Sequence, residues 1–181
     1  MSRSMKLTVA VLLIGCGEHP TLPDRSGSMS FTYHGALARS PSGTFSVQGG
    51  RNSWPMGAGG ERLMDGMRIA GSRSQGSASE FSLFLAGTMA VGSLPMCDGP
   101  TPTATPCVSG GFFSPTTVTT YGFGWAQSGP QAEMRVTITE FTASRIRGTF
   151  EGAAWGYCAE CGMLVADTAT ISGGAFDVPY R

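Results

Sequence analysis

The chain has two histidines, and neither has the partners of a nucleophilic active site beside it in the sequence. His19 lies in a segment rich in Pro and Gly, so a Ser-His-acid triad would have to be built on His34. The Gly-x-Ser-x-Gly turn that presents the serine of many hydrolases does not occur. Period-two alternation places His34 on one strand face with Thr32 and Ala36, close to solvent. The sequence therefore gives little support to a catalytic histidine.

Carboxylates are a second source of catalytic chemistry, and the twelve Asp and Glu side chains are widely scattered. Glycosidases take their two carboxylates from distant positions, so a small hydrolase of glycan type stays open as an alternative. "GAGGER" at 57–62 lacks the last glycine of a dinucleotide-binding loop. No EF-hand or His-rich metal spacing occurs. We expect no cofactor and no metal ion, and we favour a non-enzymatic protein over an enzyme.

Three aromatic residues in "TYGFGWA" are the strongest sign of a binding surface. Tyr121, Phe123 and Trp125 alternate with glycines and so fall on one strand face. Such a row can stack on a sugar ring or another flat ligand while the polar tips of Tyr and Trp stay in water. Large clustered aromatics are more often buried, so a place in the core is the favoured interpretation.

An apolar run at residues 7–14 follows Arg3 and Lys6 near the N-terminus. It is too short for a spanning helix, which needs about 20 apolar residues. A charged start followed by a short apolar run is typical of a secretory signal. The run ends in Leu13-Ile14-Gly15-Cys16, and this motif resembles the lipobox of bacterial lipoproteins.

The lipobox resemblance implies that residues 1–15 are a signal peptide and that Cys16 carries a lipid. Cleavage after Gly15 frees the amino group of Cys16 for acylation beside a diacylglycerol thioether, and more than one acyl chain makes the membrane anchor stable. Gly17 stands where an Asp would retain an enterobacterial lipoprotein in the inner membrane, so the outer membrane is the expected location. An ordinary secretory signal with an incidental cysteine is the alternative.

The remaining chain has the size and charge of one exported domain. Without Arg3 and Lys6 it carries ten arginines against twelve acidic residues, and it has no lysine. This balance argues against nucleic acid as a partner, and the lack of lysine removes Schiff-base chemistry. We interpret residues 16–29, with their prolines and glycines, as a flexible tether and residues 30–181 as a single domain.

Four cysteines remain once Cys16 is acylated: Cys97, Cys107, Cys158 and Cys161. Disulfides are the default in an oxidising compartment. We predict bonds Cys97–Cys107, which would pin a Pro-rich loop, and Cys158–Cys161, which would close a tight turn. Crossed pairings, a redox pair and a zinc site are the alternatives, although the nine residues between the first two cysteines exceed the usual ligand spacing.

The elements that position these candidate residues are short segments in which apolar and polar residues alternate, as in strands. Few segments have the periodicity of a helix. In the clearest predicted strand, at 81–91, the odd-numbered residues fall on a single face: Phe81, Leu83, Leu85, Gly87, Met89 and Val91. A hairpin is predicted from 134–141 to 145–155 through the turn 142–144. Its inward residues are Met134, Val136, Ile138, Ile146, Gly148, Phe150 and Ala154.

Two further hairpins are predicted in the first half of the chain. One pairs residues 30–37 with 43–49, so that Phe31, Tyr33 and Leu37 face Phe45 and Val47. The other turns at Asp65-Gly66, a favourable two-residue turn.

The last strand contains a change of phase, because Ile171 is odd-numbered whereas Phe176 and Val178 are even-numbered. A β-bulge at Gly173-Gly174 would restore the pattern. With roughly eight to ten such strands, we predict an all-β, antiparallel β-sandwich, with a β-barrel as the alternative. The end of the chain, at 171–179, resembles small bacterial lipoproteins with one uncharacterised β domain.

Two functions follow from these expectations. The favoured one is a membrane-anchored envelope lipoprotein whose β module binds a glycan or an envelope protein. The alternative is a small periplasmic hydrolase that uses scattered carboxylates. A deep polar cleft that gathers several carboxylates would favour the hydrolase.

Overall fold

A computed structural model of the chain describes residues 26–38, 40–49, 57–73, 80–99, 105–114, 119–124, 133–158 and 163–180, with the backbone alone at 114 and 163–165. These residues form eleven strands: β1 (Ser28–Gly35), β2 (Ser42–Gln48), β3 (Gly57–Leu63), β4 (Gly66–Ser72), β5 (Glu80–Ala86), β6 (Gly92–Leu94), β7 (Cys107–Ser114), β8 (Thr119–Phe123), β9 (Glu133–Phe141), β10 (Arg145–Cys158) and β11 (Met163–Pro179). No membrane-spanning helix is found in the described ranges.

All eleven strands belong to one antiparallel sheet. Nine of them follow the order β2-β1-β11-β10-β8-β7-β5-β4-β3. The edge of β10 that faces away from β11 pairs with two strands. Residues 146–153 pair with β9 and residues 155–158 pair with β8. β6 pairs with the far side of β9. The sheet therefore forks at β10.

The segment that follows β6 closes this fork. Cys97 N donates a hydrogen bond to Val108 O at 2.8 Å, and Val108 N donates to Pro95 O at 2.8 Å, so the segment lies along β7. A disulfide joins Cys97 to Cys107 at the same point, with both residues buried. The predicted bond therefore fastens the β6–β9 branch to the other branch of the sheet.

The two ends of the strand order meet, so the sheet is a nearly closed barrel. Gly60 of β3 forms a parallel bridge with Tyr180, which follows β11. Ala58 N donates a hydrogen bond to Gly49 O at 3.0 Å, next to the end of β2. Gly27 packs so closely on the Ala58 carbonyl that a side chain there would collide with it. The all-β class and the barrel alternative are confirmed, whereas the described strands form one sheet instead of the two separate sheets of the predicted sandwich.

The interior is filled by aromatic rings around Phe31. The Phe31 ring centroid lies 4.7 Å from that of Phe81, 4.9 Å from that of Phe45 and 5.6 Å from that of Phe150. The inward sets predicted for β9 and β10 are all buried. Leu37, predicted to face this core, is exposed instead because it lies in the loop after β1.

Four local features were predicted from the sequence: one bulge, two turns and one strand pairing. The structure confirms three of them. The bulge in β11 is confirmed, with Gly173 at φ +59° and a register shift against β1. The turn at 142–144 is confirmed, and so is the pairing of β1 with β2. The β3–β4 turn, however, is Met64-Asp65, because Gly66 already pairs with Leu63.

Two element ends also differ from the predictions. β5 ends at Ala86, before Gly87 at φ +87°, so Val91 is exposed instead of inward. β1 begins at Ser28 with Met29 in the core, so the last two residues of the predicted tether belong to the sheet. Residues 1–25, which include the predicted signal peptide and Cys16, lie outside the described residues.

Candidate functional site

Asp167 is the only charged residue that is buried in the part of the chain that the structure describes. It lies on the inner face of β11 with Ala169 and Ile171 and is 9% exposed. An irregularity lies beside it, because the β10–β11 register shifts between Trp155 and Tyr157. Bulges of this kind redirect side chains and are frequent next to functional sites.

The Asp167 carboxylate is held by two hydroxyl groups on one oxygen. Tyr121 Oη donates a hydrogen bond to Oδ2 at 2.6 Å, and Ser40 Oγ donates to the same oxygen at 2.6 Å. Both distances are those of hydroxyls bound to a carboxylate. The other oxygen, Oδ1, is shielded from solvent and has no hydrogen-bond partner. One oxygen is therefore fixed and the other is free to accept a hydrogen bond.

The aromatic core fixes the position of the Tyr121 hydroxyl. The Tyr121 ring stacks on Phe112 with centroids 4.9 Å apart, and Phe112 lies 5.3 Å from the Tyr33 ring. Neither ring of the stack can move without opening a cavity in a packed interior. The hydroxyl that orients Asp167 is therefore part of the core.

Ser40 reaches the carboxylate from a loop that is itself tied to β11. Ala36 N donates a hydrogen bond to Thr168 O at 2.8 Å, next to Asp167 in the chain. Leu37 N donates to Ser40 Oγ at 3.1 Å, which leaves the Ser40 hydrogen for the carboxylate. Three elements distant in sequence therefore meet at Asp167.

This arrangement suits recognition of a hydrogen-bond donor. A buried acceptor without a partner costs about 1–3 kcal/mol, more when it is charged, so a donor that reaches Oδ1 gains the difference. A glycosidase needs a second carboxylate across a cleft, and the described residues offer no other buried charge. They also contain no group of three metal-ligating side chains.

His34 stands on the outer face of β1, as the alternation predicts. Its Nδ1 lies 2.9 Å from Ser42 Oγ across the β1–β2 pair. The Ser42 oxygen also accepts the Gly35 N–H at 3.3 Å. The pair is exposed on a strand surface, where it ties the end of the hairpin.

The predicted aromatic row is divided by the structure. Tyr121 and Phe123 are buried in the core, at 1% and 0% exposure, so neither ring presents a face to a ligand. The core interpretation holds for these two residues and ligand stacking by them is wrong. Trp125 lies outside the described residues.

Of the two cysteines in the second predicted disulfide, the structure describes one. Cys158 is disulfide-bonded. Its predicted partner Cys161 lies outside the described residues, so the bond Cys158–Cys161 stays a prediction.

Asp167 is the site residue that the sequence analysis missed, although a signal was present. The inward phase of Ile171 extends backwards through Ala169 to Asp167, so the alternation alone places a carboxylate on the buried face. Its partners carried no such signal, because Ser40 and Tyr121 are distant in sequence.

Comparison of the chain with protein-family models, with curated proteins and with solved structures finds no match, so the site rests on its own geometry.

Proposed function

We propose that the protein is an exported lipoprotein, anchored in the bacterial envelope through Cys16, whose β domain binds a ligand without transforming it. The observation that carries the proposal is the disulfide between Cys97 and Cys107. Such bonds persist in oxidising compartments and are rare in the cytosol. This one connects the two branches of the sheet, and a structural bond of this kind supports the proposal of an exported domain. The lipobox motif at 13–16 supports the anchor.

The ligand-binding half of the proposal rests on Asp167. Its Oδ1 has an unused acceptor position, which a hydroxyl of a glycan or an ammonium group of an envelope protein would fill on displacing the groups that shield this oxygen from solvent. This oxygen has already lost its water on folding. A hydrogen bond to it therefore gains more free energy than a hydrogen bond to an acceptor at the protein surface. A hydrolase has less support, because Asp167 lacks a second buried carboxylate among the described residues.

The anchor is tested by partition between water and detergent. The mature wild-type protein should enter the detergent phase, and Cys16→Ser should leave it in the aqueous phase, since the thioether can no longer form. Intact mass measures the acyl chains directly. If the Ser variant still sediments with membranes after a salt wash, the anchor is wrong.

Ligand recognition is tested with Asp167→Asn against the matched control Asp177→Asn on the same strand. Asparagine keeps an acceptor for Tyr121 and Ser40 but turns the free oxygen into a donor. In a panel of hexoses, amino sugars and primary amines, we expect the thermal shift of wild type to persist in the control and to disappear in Asp167→Asn. A shift that survives in Asp167→Asn would place recognition elsewhere.

A further inference from the structure

One end of the barrel contains the point where the chain enters the sheet. The Arg145 guanidinium donates a hydrogen bond to Ser26 O at 3.3 Å, and Tyr180 N donates to Ser144 O at 3.0 Å. Arg62 of β3 lies 5.1 Å from the centre of the Tyr180 ring. The start of β1, the β9–β10 turn and the tip of the β3–β4 hairpin are thereby joined. We call this the tether end.

An open groove of about 840 Å³ lies at the tether end, between the β3–β4 turn, the loop after β5 and the end of β9. Its apolar lining consists of Met64, Met67, Ala86, Met89 and Phe141. Methionines make adaptable apolar surfaces, because their unbranched side chains fit irregular partners.

Apolar side chains project from the loops around this groove. Met64 at the hairpin tip is 100% exposed, Leu63 beside it is 44% exposed and Val91 is 66% exposed. The two loops are joined, since Gly87 N donates a hydrogen bond to Asp65 O at 2.8 Å. Of the four exposed large apolar residues in the described ranges, Met64 and Val91 therefore lie in these two loops and Leu63 lies beside them at the end of β3.

The fourth exposed apolar residue, Leu37, lies at the other end. Its loop is bonded to Ser40 and through it to Asp167. At the tether end, Asp177 of β11 pairs with Ser28, the first residue of β1. Asp167 lies ten residues before Asp177 along β11. At about 3.3 Å per residue this is about 30 Å. The free carboxylate oxygen and the tether end are thus separated by most of the length of the barrel.

We propose that the groove and the apolar side chains of the tether end dock on the phospholipid surface and hold Asp167 away from it. The inference rests on the proposed anchor at Cys16. Ser26 follows Cys16 by ten positions, and an extended chain of that length reaches at most about 35 Å. This reach is about the length of the barrel, so the anchor keeps the whole domain close to the bilayer, and the exposed apolar side chains of the tether end select the end that docks.

The charges beside the hairpin tip define the kind of lipid contact. Glu61 and Asp65 flank Arg62, so the tip has no excess of positive charge for anionic headgroups. Docking is consequently apolar insertion at the interface, as in shallow membrane-binding segments. It does not require anionic lipid and does not weaken in salt.

The orientation is tested with the full lipidated protein in vesicles of zwitterionic phosphatidylcholine with brominated acyl chains. Two variants, Met64→Trp and Leu37→Trp, place one added indole at each end of the barrel, and the spectrum of the parent protein is subtracted. A side chain that inserts lies about 5–10 Å into the interface, so the indole at 64 should shift to the blue and lose about half its emission. The indole at 37 should do neither.

The outcomes separate the docking from the anchor. Equal quenching at both positions, or none at 64 in protein whose mass shows the acyl chains, overturns the docking and leaves the anchor intact. If the mass shows no acyl chain, the anchor is wrong, and Met64→Trp in the Cys16→Ser protein is mixed with the same vesicles. Quenching there supports the docking surface, and its absence overturns it.

Discussion

Two aspartates of β11 have opposite surroundings although they lie on one strand. Asp167 faces the core, where two neutral hydroxyls hold one of its oxygens and none holds the other. Asp177 faces outwards, where Arg145 binds Oδ1 and Arg147 Nε lies 2.8 Å from Oδ2. The outer carboxylate is satisfied on both oxygens by opposite charge, and the inner one is not.

A single glycine produces this difference. The two aspartates are ten residues apart, so regular alternation would put them on the same face. Gly173, at φ +59°, forms the bulge that reverses the phase between them. Few side chains adopt this backbone conformation, whereas glycine does so without strain. The bulge sends Asp177 to the arginines and leaves Asp167 inside.

The comparison separates a carboxylate whose charge is compensated from one that the fold leaves partly unpaired. The outer cluster continues to Glu140, which lies 2.8 Å from Arg147, so its charges compensate one another on the sheet surface. Asp167 has no such compensation among the described residues and depends on hydroxyls fixed by the core. A buried acceptor that the fold leaves unpaired is the more informative of the two.

The largest effect is expected from Phe112→Ala, which removes the ring under Tyr121. Truncation of a buried Phe costs about 3–5 kcal/mol, and here it also frees the hydroxyl that orients Asp167. The free energy of unfolding measured by urea denaturation should fall by that amount, and ligand recognition should be lost with it. The control Phe84→Ala removes a partly exposed ring on the outer face of β5 and should cost much less. Equal losses would mean that the inner stack has no special part in the fold.

Much of this comparison was present in the sequence, because strand alternation is a local property. The inward residues of β9 and β10, and the phase change at Gly173, follow from neighbours a few positions apart. The end of β5 was missed because alternation continues by chance past Gly87, whose φ of +87° ends the strand. Local pattern cannot separate a strand from a loop that happens to alternate.

The closure of the sheet and the surroundings of Asp167 were beyond the sequence for another reason. A sandwich and a barrel have the same alternation, and contacts between the two ends of the strand order, such as the bridge from Gly60 to Tyr180, distinguish them. The two residues are 120 positions apart. The partners of Asp167 are equally remote. Contacts of this kind depend on the order of strands, which periodicity does not contain.

The smallest effect is expected from Asp177→Asn, and its pH dependence tests the role of the outer carboxylate. Partial burial alone would raise the pKa of Asp177, but the hydrogen bonds and charges of Arg145 and Arg147 together lower that pKa below its ordinary value of 3.8. Because the folded pKa is lower than the unfolded one, the ionised carboxylate stabilises the fold above about pH 4. That contribution is lost as the pH falls through the folded pKa.

The substitution should therefore lower the free energy of unfolding at pH 6 by about 1 kcal/mol or less, since solvent screens these partly exposed charges. Urea unfolding at a series of pH values should show the wild-type and Asp177→Asn curves converging progressively as the pH falls below 3.8 and through the lower folded pKa of Asp177. Glu61→Gln, which removes an exposed carboxylate at the edge of the sheet, should follow wild type throughout. A difference that stays constant down to pH 2 would show that Asp177 acts through packing instead of charge, and the contrast with Asp167 would then rest on burial alone.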